Sequence, residues 1–230
     1  MINIAVIDDD ETVCGNLKRI IGKYDMKYDY NIRCDVFTSC EDFMARSEGD
    51  EYKLIFLDIE FPEMSGIELS VKIRNYFKNI KMQIVFISSR SDYAMELFDV
   101  QPFNFLIKPL SEEKVYSCLT KFFIYFYENN KTFEYNFENV KHRILINEIL
   151  YFESSRKKIV IHTLNNEIPF YGTFNEVAEQ LKQHFVVIRR GIMVNLQYII
   201  NSSFNSVELS NGSVLEISKN NRKNVRSRLC

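Results

Sequence analysis

Several absences narrow the reading of this 230-residue chain before any motif is considered. No apolar run approaches the roughly 18 residues needed to cross a bilayer, and the first residues enter a strand-like segment without a basic n-region and apolar h-region. Neither export nor membrane attachment is expected, and a cytoplasmic location follows. No Cys-x-x-Cys pair occurs, and the 5 cysteines are odd in number and widely spaced (Cys14, Cys34, Cys40, Cys118, Cys230). Reduced thiols in a cytoplasm fit this usage, with terminal Cys230 the most open to oxidation. His142, His162 and His184 share no ligand spacing with the thiols, which argues against zinc. Residues 128–230 contain no Asp at all.

What the chain does contain is enough apolar residue, 46%, for ordinary cores in one large or two small domains. Its net charge of −2 conceals two opposite halves: residues 1–127 carry 15 Lys+Arg against 21 Asp+Glu, residues 128–230 carry 14 against 10. The halves are expected to meet different partners.

The first half is organised around Leu54-Ile55-Phe56-Leu57-Asp58, an unbroken apolar run that ends on an acid and breaks into a turn at Pro62 and Gly66. Such a run reads as a strand buried on both faces of a parallel sheet, with Asp58 at its carboxyl edge. In open α/β sheets ligands bind at that edge. Three more runs end alike: Ile2 to Ile7 runs into Asp8, Asp9, Asp10 and Glu11, Met82 to Ile87 into Ser88 and Ser89, and Phe103 to Ile107 into Lys108-Pro109. An acid pair, a lone acid, a hydroxyl and an ammonium would thus face one crevice. Carboxylates hold a hard divalent cation, which with Lys and Ser neutralises and orients phosphate oxygens.

Asp-Asp, then Asp-x-x-x-Pro-x-x-x-Gly, then Ser-Ser, then Lys-Pro, in that order, resembles the receiver domain of two-component response regulators. The resemblance implies a phosphoacceptor at Asp58, Mg²⁺ held by Asp8, Asp9, Asp58 and the carbonyl of Glu60, and Ser88 and Lys108 on the phosphoryl oxygens. It also places Phe105 at a switch position often filled by Tyr; Phe keeps the ring and loses the hydroxyl. Ser replaces the more usual Thr at 88, and Phe61 stands where Met is common.

Apolar strands alternate with amphipathic helices through this half, the pattern of βαβ units. Helices are expected over Thr12 to Gly22, over Glu41 to Arg46, along Ile67, Val71, Ile73 and Phe77, over Asp92 to Phe98, and from Ser111, a capping residue followed by Glu112 and Glu113. The last helix carries Val115, Leu119, Phe122, Phe123, Tyr125 and Phe126. That excess serves either docking on the sheet or, with Asp92 to Phe98 and the strand at Phe103 to Ile107, a dimer face.

Polar Glu128 to Lys131 marks a linker. Short β-prone segments follow, separated by Asn, Ser and Gly turns: Phe133 to Phe137, Arg143 to Asn147, Ile149 to Glu153, Lys158 to Thr163, Glu167 to Tyr171, Phe185 to Arg189, Ser206 to Leu209 and Val214 to Ile217. One helix, Thr173 to His184, opens with Thr173 and Glu176 as a capping box. Basic residues fall in loops: Arg156, Lys157 and Lys158; Arg189 and Arg190; Lys219, Arg222 and Lys223. Cationic loops with Asn and Ser beside them suit phosphate contacts and base-edge hydrogen bonds.

Glu153-Ser154-Ser155, Phe170-Tyr171-Gly172, Phe185 to Asn195, Asn211-Gly212 and Ile217-Ser218-Lys219 resemble the LytTR DNA-binding domain, most closely regulators of the AgrA and VirR type. The resemblance implies loops in successive major grooves, base contacts at Lys157, Arg190 and Lys219, and further contacts from Arg156, Arg189 and Arg222. Arg at 189 and 190, where the family often has His followed by Arg or Asn, favours guanine.

The expected architecture is an α/β flavodoxin-like receiver with a doubly wound five-stranded parallel sheet over 1–126, a linker over 127–136, and a mostly-β LytTR domain over 137–230. The expected function is a transcription factor, not an enzyme. It would accept a phosphoryl group from a cognate sensor histidine kinase, with Mg²⁺, and bind double-stranded promoter DNA on repeated sites as a homodimer. An aspartyl-phosphate enzyme would need a second Asp just after the nucleophile, which Ile59 and Glu60 do not supply. A phosphorylation-dependent protein- or RNA-binding adaptor is the alternative; it would expose stacking aromatics on a sheet face, whereas Phe152, Phe170 and Phe185 sit in apolar stretches.

Overall fold

A computed structural model describes residues 1–46, 51–75, 81–95, 97, 100–138 and 140–229. It divides into two compact units, Met1–Ile124 and Tyr125–Cys230.

The first unit is a parallel sheet of β1 (Ile2–Ile7), β2 (Ile32–Phe37), β3 (Tyr52–Asp58), β4 (Gln83–Ser88) and β5 (Asn104–Ile107), in the order β2-β1-β3-β4-β5. All four pairings are parallel. This is the doubly wound order, whose direction reverses between β1 and β3 and opens a crevice at their carboxyl ends. Strand β3 is buried on both faces from Leu54 through Asp58, as its continuous apolar run requires.

Helix α1 (Glu11–Tyr28) buries Leu17, Ile20, Ile21 and Tyr24 on one face. It runs a turn and a half past the Gly22 end expected from sequence, because buried Tyr24 continues the apolar stripe and the stop falls at Asp29, a left-handed C-cap with φ 55°. Asp10 caps the start, its side chain accepting from the Thr12 amide at 2.8 Å. Helix α2 spans Cys40–Arg46, and α3 Gly66–Asn75. Ser65 and Glu68 form a reciprocal capping box: the Glu68 amide donates to Ser65 Oγ at 3.2 Å, and the Ser65 amide to Glu68 Oε2 at 2.9 Å. Where a helix was expected over Asp92 to Phe98, a 3-10 turn covers Asp92–Met95, in keeping with the narrow apolar face of that segment. Phe98 lies outside the described residues, as do Phe77 and Cys230.

Helix α4 (Glu112–Asn129) buries Val115, Cys118, Leu119, Phe122 and Phe123. Residues 127–136, expected as a linker, hold the end of α4 and most of strand β6 (Thr132–Phe137). Polar Asn129 is the last residue of the helix, and Asn130 follows it in a turn. Their side-chain amides donate to the carbonyls of Tyr125 and Phe126 at 2.8 and 2.7 Å, four residues back.

In the second unit β6 pairs with β7 (Val140–Leu145). Five antiparallel strands follow in the order β10-β9-β8-β12-β11: β8 (Ile149–Ser155), β9 (Lys158–Thr163), β10 (Glu167–Phe170), β11 (Phe185–Arg189) and β12 (Ile192–Asn195). A three-stranded sheet comprises β13 (Ile199–Ser202), β14 (Ser206–Leu209) and β15 (Val214–Glu216). The five-stranded sheet has a core on each face. Phe133, Phe152, Phe170, Phe185 and Met193 join helix α5 (Phe174–Gln180) on one side. Val186, Ile188, Ile192 and Val194 join Val207, Leu209 and Val225 on the other. Side chains of β11 therefore alternate between two cores. Each large aliphatic or aromatic side chain so buried contributes about 1.5–3 kcal/mol.

Two expectations change here. Thr173 caps α5 without a side-chain hydrogen bond, so the expected capping box does not form, and the helix ends at Gln180. Arg222 and Lys223 are not in a loop; they open helix α6 (Arg222–Leu229), which packs Val225 into the core.

Candidate functional site

Four strand ends of the first unit converge. Asp8 follows β1, Asp58 closes β3, Ser88 closes β4 and Lys108 follows β5. Asp8, Asp58 and Ser88 are buried, while Asp9 is exposed. Lys108 Nζ donates to Asp58 Oδ2 at 2.8 Å. The same ammonium lies 2.8 Å from Asp8 Oδ2, in ion-pair contact but off the line of a hydrogen bond.

Backbone groups hold this constellation in place. The Asp10 amide donates to Asp8 Oδ1 at 3.0 Å, and the Ile59 amide to Asp58 Oδ1 at 2.8 Å. The Arg90 amide donates to Ser88 Oγ at 3.0 Å, and the Lys108 amide to the Ser88 carbonyl at 2.9 Å. The Lys108–Pro109 peptide is cis. Gly66 fits under the turn because it has no side chain: a Cβ there would lie 1.9 Å from the Asp58 carbonyl oxygen.

Burial pushes the Asp8 carboxyl above its ordinary range, against the lowering effect of Lys108 and the Asp10 amide; the charge of Asp58 adds to the rise. Burial alone would lower Lys108, but its hydrogen bond to Asp58 and the negative charge of both carboxylates outweigh that and raise it. The ammonium is therefore held charged between the carboxylates.

Carboxylate oxygens of Asp8, Asp9 and Asp58 lie within 4.8 Å of one another. Asp8 Oδ2 is buried with no hydrogen-bond partner. An all-oxygen donor set, one of whose buried oxygens is met only by the Lys108 ammonium, fits a hard divalent cation such as Mg²⁺. Beside Asp9 a cleft of about 290 Å³ opens, lined by Thr38, Phe61 and Pro62. Glu60 is exposed; its Oε1 accepts from Tyr93 Oη at 3.1 Å, and Arg90 stacks on the Tyr93 ring 4.9 Å from its centroid. Sequence reading singled out neither Arg90 nor Tyr93; both lie just past Ser88, where only proximity to a strand end could have pointed to them. Phe105 is half-buried against the core of the unit, paired across strands with Phe86.

In the second unit the cationic residues gather through main-chain bonds. Arg156, with φ 54°, and Lys157 form the two-residue turn between β8 and β9, since Ser155 pairs with Lys158. Arg189 ends β11, and Arg190 with Gly191 (φ 78°) makes the turn into β12. The Ser154 amide donates to the Gly191 carbonyl at 2.7 Å, which sets these two turns side by side. The Ser218 amide donates to the Ile188 carbonyl at 2.9 Å, bringing Lys219 beside Arg189. Arg156, Lys157, Arg189, Arg190 and Lys219 are exposed, and Arg222 is half-buried. Lys158 instead lies over the Tyr171 ring, 4.9 Å from its centroid. Phe152, Phe170 and Phe185 are buried in the core, so these rings form no stacking platform for single-stranded RNA.

Comparison with known proteins agrees with both halves. The response regulator receiver domain family matches residues 4–120, and the LytTr DNA-binding domain family matches residues 139–230. Accessory gene regulator protein A of Staphylococcus epidermidis is 27% identical over 239 residues, covering 96% of this chain and 99% of that protein. Sensory transduction protein LytT of Bacillus subtilis is 21% identical over 251 residues, covering 100% of this chain and 99% of that one. Transcriptional regulatory protein NatR of Bacillus subtilis is 22% identical over 202 residues, covering 86% and 84%. Among solved structures, response regulator protein TrrA of Thermotoga maritima, solved in complex with Mg(2+)-BeF, matches 53% of this chain and 99% of that chain, with a TM-score of 0.46 and 23% identity.

Proposed function

Since the chain belongs to the response regulators, with a receiver domain followed by a LytTr DNA-binding domain, we propose that phosphorylation of Asp58 controls its binding to promoter DNA. The receiver would take residues 1–126 and the DNA-binding domain 137–230.

A carboxylate oxygen of Asp58 attacks the phosphorus of a phosphohistidine on a sensor kinase. The P–N bond breaks, the imidazole nitrogen keeps the electron pair and takes up a proton, and an aspartyl phosphate remains. Asp8, Asp9, Asp58 and the Glu60 carbonyl would hold Mg²⁺, which when bound neutralises and orients the phosphoryl oxygens. Lys108 supplies a second positive charge to one of those oxygens, and Ser88 Oγ a hydrogen bond to another. Phe105 would couple the new arrangement to the rest of the domain.

The observation that carries this reading is the position of Lys108 Nζ, 2.8 Å from both Asp8 and Asp58 at the crevice where the sheet order reverses. A cation fixed there meets an incoming phosphoryl group without reorganisation. For the output half, support comes from the cluster of Arg156, Lys157, Arg189, Arg190, Lys219 and Arg222, joined by main-chain bonds at Ser154 and Ser218. Each domain would make few contacts alone. Two receivers paired on phosphorylation would tether two DNA-binding domains and raise the effective concentration of the second at a repeated site.

The deciding experiment is selection from a randomised duplex pool by the full chain treated with a small phosphodonor and Mg²⁺, beside Asp58→Asn treated identically. Enrichment of a repeated motif, stronger for the unsubstituted protein, is the expected result. Equal enrichment by both removes Asp58 as the switch. No selection of any sequence by either moves the adaptor reading ahead.

A further inference from the structure

The turn between β13 and β14 projects Phe204, which is 58% exposed. Two guanidinium groups share its ring: Arg222 Cζ lies 4.4 Å and Arg226 Cζ 4.8 Å from the centroid. Both arginines come from α6, four residues apart and therefore on one helix face.

Several other cations of this unit are neutralised locally. Lys131, Lys141, Arg143 and Lys182 each pair with a glutamate. Arg228 donates to the Gln183 carbonyl at 2.8 Å. Among the described residues, neither Arg222 nor Arg226 has an acidic partner within ion-pair distance. Arg222 Nε is buried with no hydrogen-bond partner. Like charges at i and i+4 repel, and a buried N–H without a partner is costly. The fold nevertheless holds both groups on one ring.

We propose that Phe204, Arg222 and Arg226 form a preset clamp for a DNA backbone phosphate, in which Phe204 is the positioning residue and Arg226 a phosphate contact. The inference rests on the DNA-binding reading above and extends it to Phe204 and Arg226, which that reading does not use. A phosphodiester supplies the concentrated negative charge that two adjacent guanidinium groups lack; a base edge does not. The clamp also joins the cationic turns directly. The Ile217 amide donates to the carbonyl of Asn205, the residue after Phe204, at 2.7 Å, and the next amide, of Ser218, to Ile188 at the end of β11. Stacking orders the long arginine side chains before the ligand arrives, so less conformational freedom is lost on binding.

The test measures affinity of the full chain for a selected duplex and for an unrelated one across a salt series, with Phe204→Ala, Phe204→Trp and Arg226→Ala beside the unsubstituted protein. Arg226→Ala is expected to weaken both duplexes by the same factor, about threefold to tenfold, and to lower the slope of log K against log salt by about one. Phe204→Ala is expected to weaken both alike, and Phe204→Trp to restore binding, since Trp offers a better cation–π face. A merely structural role for Phe204 would not be rescued by the larger ring. Binding by the unsubstituted protein with affinity and salt slope unchanged in Arg226→Ala, a surface change that leaves the core intact, overturns the clamp and leaves the DNA-binding reading standing. Absence of duplex binding by the unsubstituted protein overturns both.

Discussion

Lys108 Nζ and Asp58 Oδ2 are 2.8 Å apart, and the same ammonium is the nearest cation to buried Asp8. One charge thus balances two carboxylates that the strand ends bring together in a largely buried crevice.

Lys108→Ala is therefore expected to destabilise the first unit by about 2–4 kcal/mol at neutral pH, because it leaves buried carboxylates uncompensated. The sign with pH follows from Asp8. Its folded pKa is raised, mainly by burial, so the fold binds that proton more tightly than the unfolded chain does. Stability of the variant should rise as pH falls through that raised pKa and drop again above it. If the carboxylate cluster holds Mg²⁺ as proposed, the ion should restore part of the loss at neutral pH, because such a site exists only in the folded chain. Thermal melts with and without Mg²⁺ decide; a variant as stable as the parent and blind to Mg²⁺ contradicts the cation site.

Gly66→Ala places a Cβ 1.9 Å from the Asp58 carbonyl oxygen, backbone that cannot swing aside. The turn after β3 must shift, moving Asp58. Phosphorylation by a small phosphodonor should fall at least tenfold, a loss corresponding to about 1.4 kcal/mol or more in the barrier. Labelling at the parent rate would contradict the close approach.

Arg190→Ala is expected to relax selection of guanine at one position of each half-site, at about 1–3 kcal/mol of discrimination. Selection from the same randomised pool reads it out. Full retention of discrimination removes Arg190 from base reading.

Four thiols have raised pKa values: Cys14 and Cys118 at about 11, Cys34 and Cys40 at about 12, each chiefly through burial. In the folded protein they stay protonated well past the ordinary value of 9.0, whereas the unfolded chain ionises there. Stability should thus be insensitive to these groups below about pH 9 and fall as pH rises towards 11–12. In a protein with Cys34, which is half-buried, and Cys230 both replaced by Ser, a thiol-reactive probe at pH 8 should label buried Cys14, Cys40 and Cys118 only after urea unfolding. Rapid labelling of the native chain would contradict the burial.

The sheet of the first unit and its acidic crevice were legible because a strand buried on both faces leaves an unbroken apolar run, and each run ended on a carboxylate, a hydroxyl or an ammonium. Helix limits were less so. Both Ser65 with Glu68 and Thr173 with Glu176 carry the capping-box spacing, yet the box with reciprocal side-chain bonds forms at Ser65, which sequence reading passed over. Strand β12 escaped because Arg190-Gly191 is a two-residue turn and Ile192, Met193 and Val194 feed two cores, so no polar alternation marks it. Helix α6 escaped because Val225 is its only buried residue, too little for a periodic stripe. Had it been read as a helix, the spacing of Arg222 and Arg226 would have placed them together.

The bonds that gather the cationic turns, Ser154 to Gly191, Ser218 to Ile188 and Ile217 to Asn205, use main-chain atoms alone. The side chains at 156, 157, 189, 190 and 219 are thereby relieved of any part in holding the turns together. Under the proposed function, substitutions there would alter which sequence is read without unsettling the scaffold, so operator preference in a lineage of such chains would drift one position at a time while the architecture stays constant.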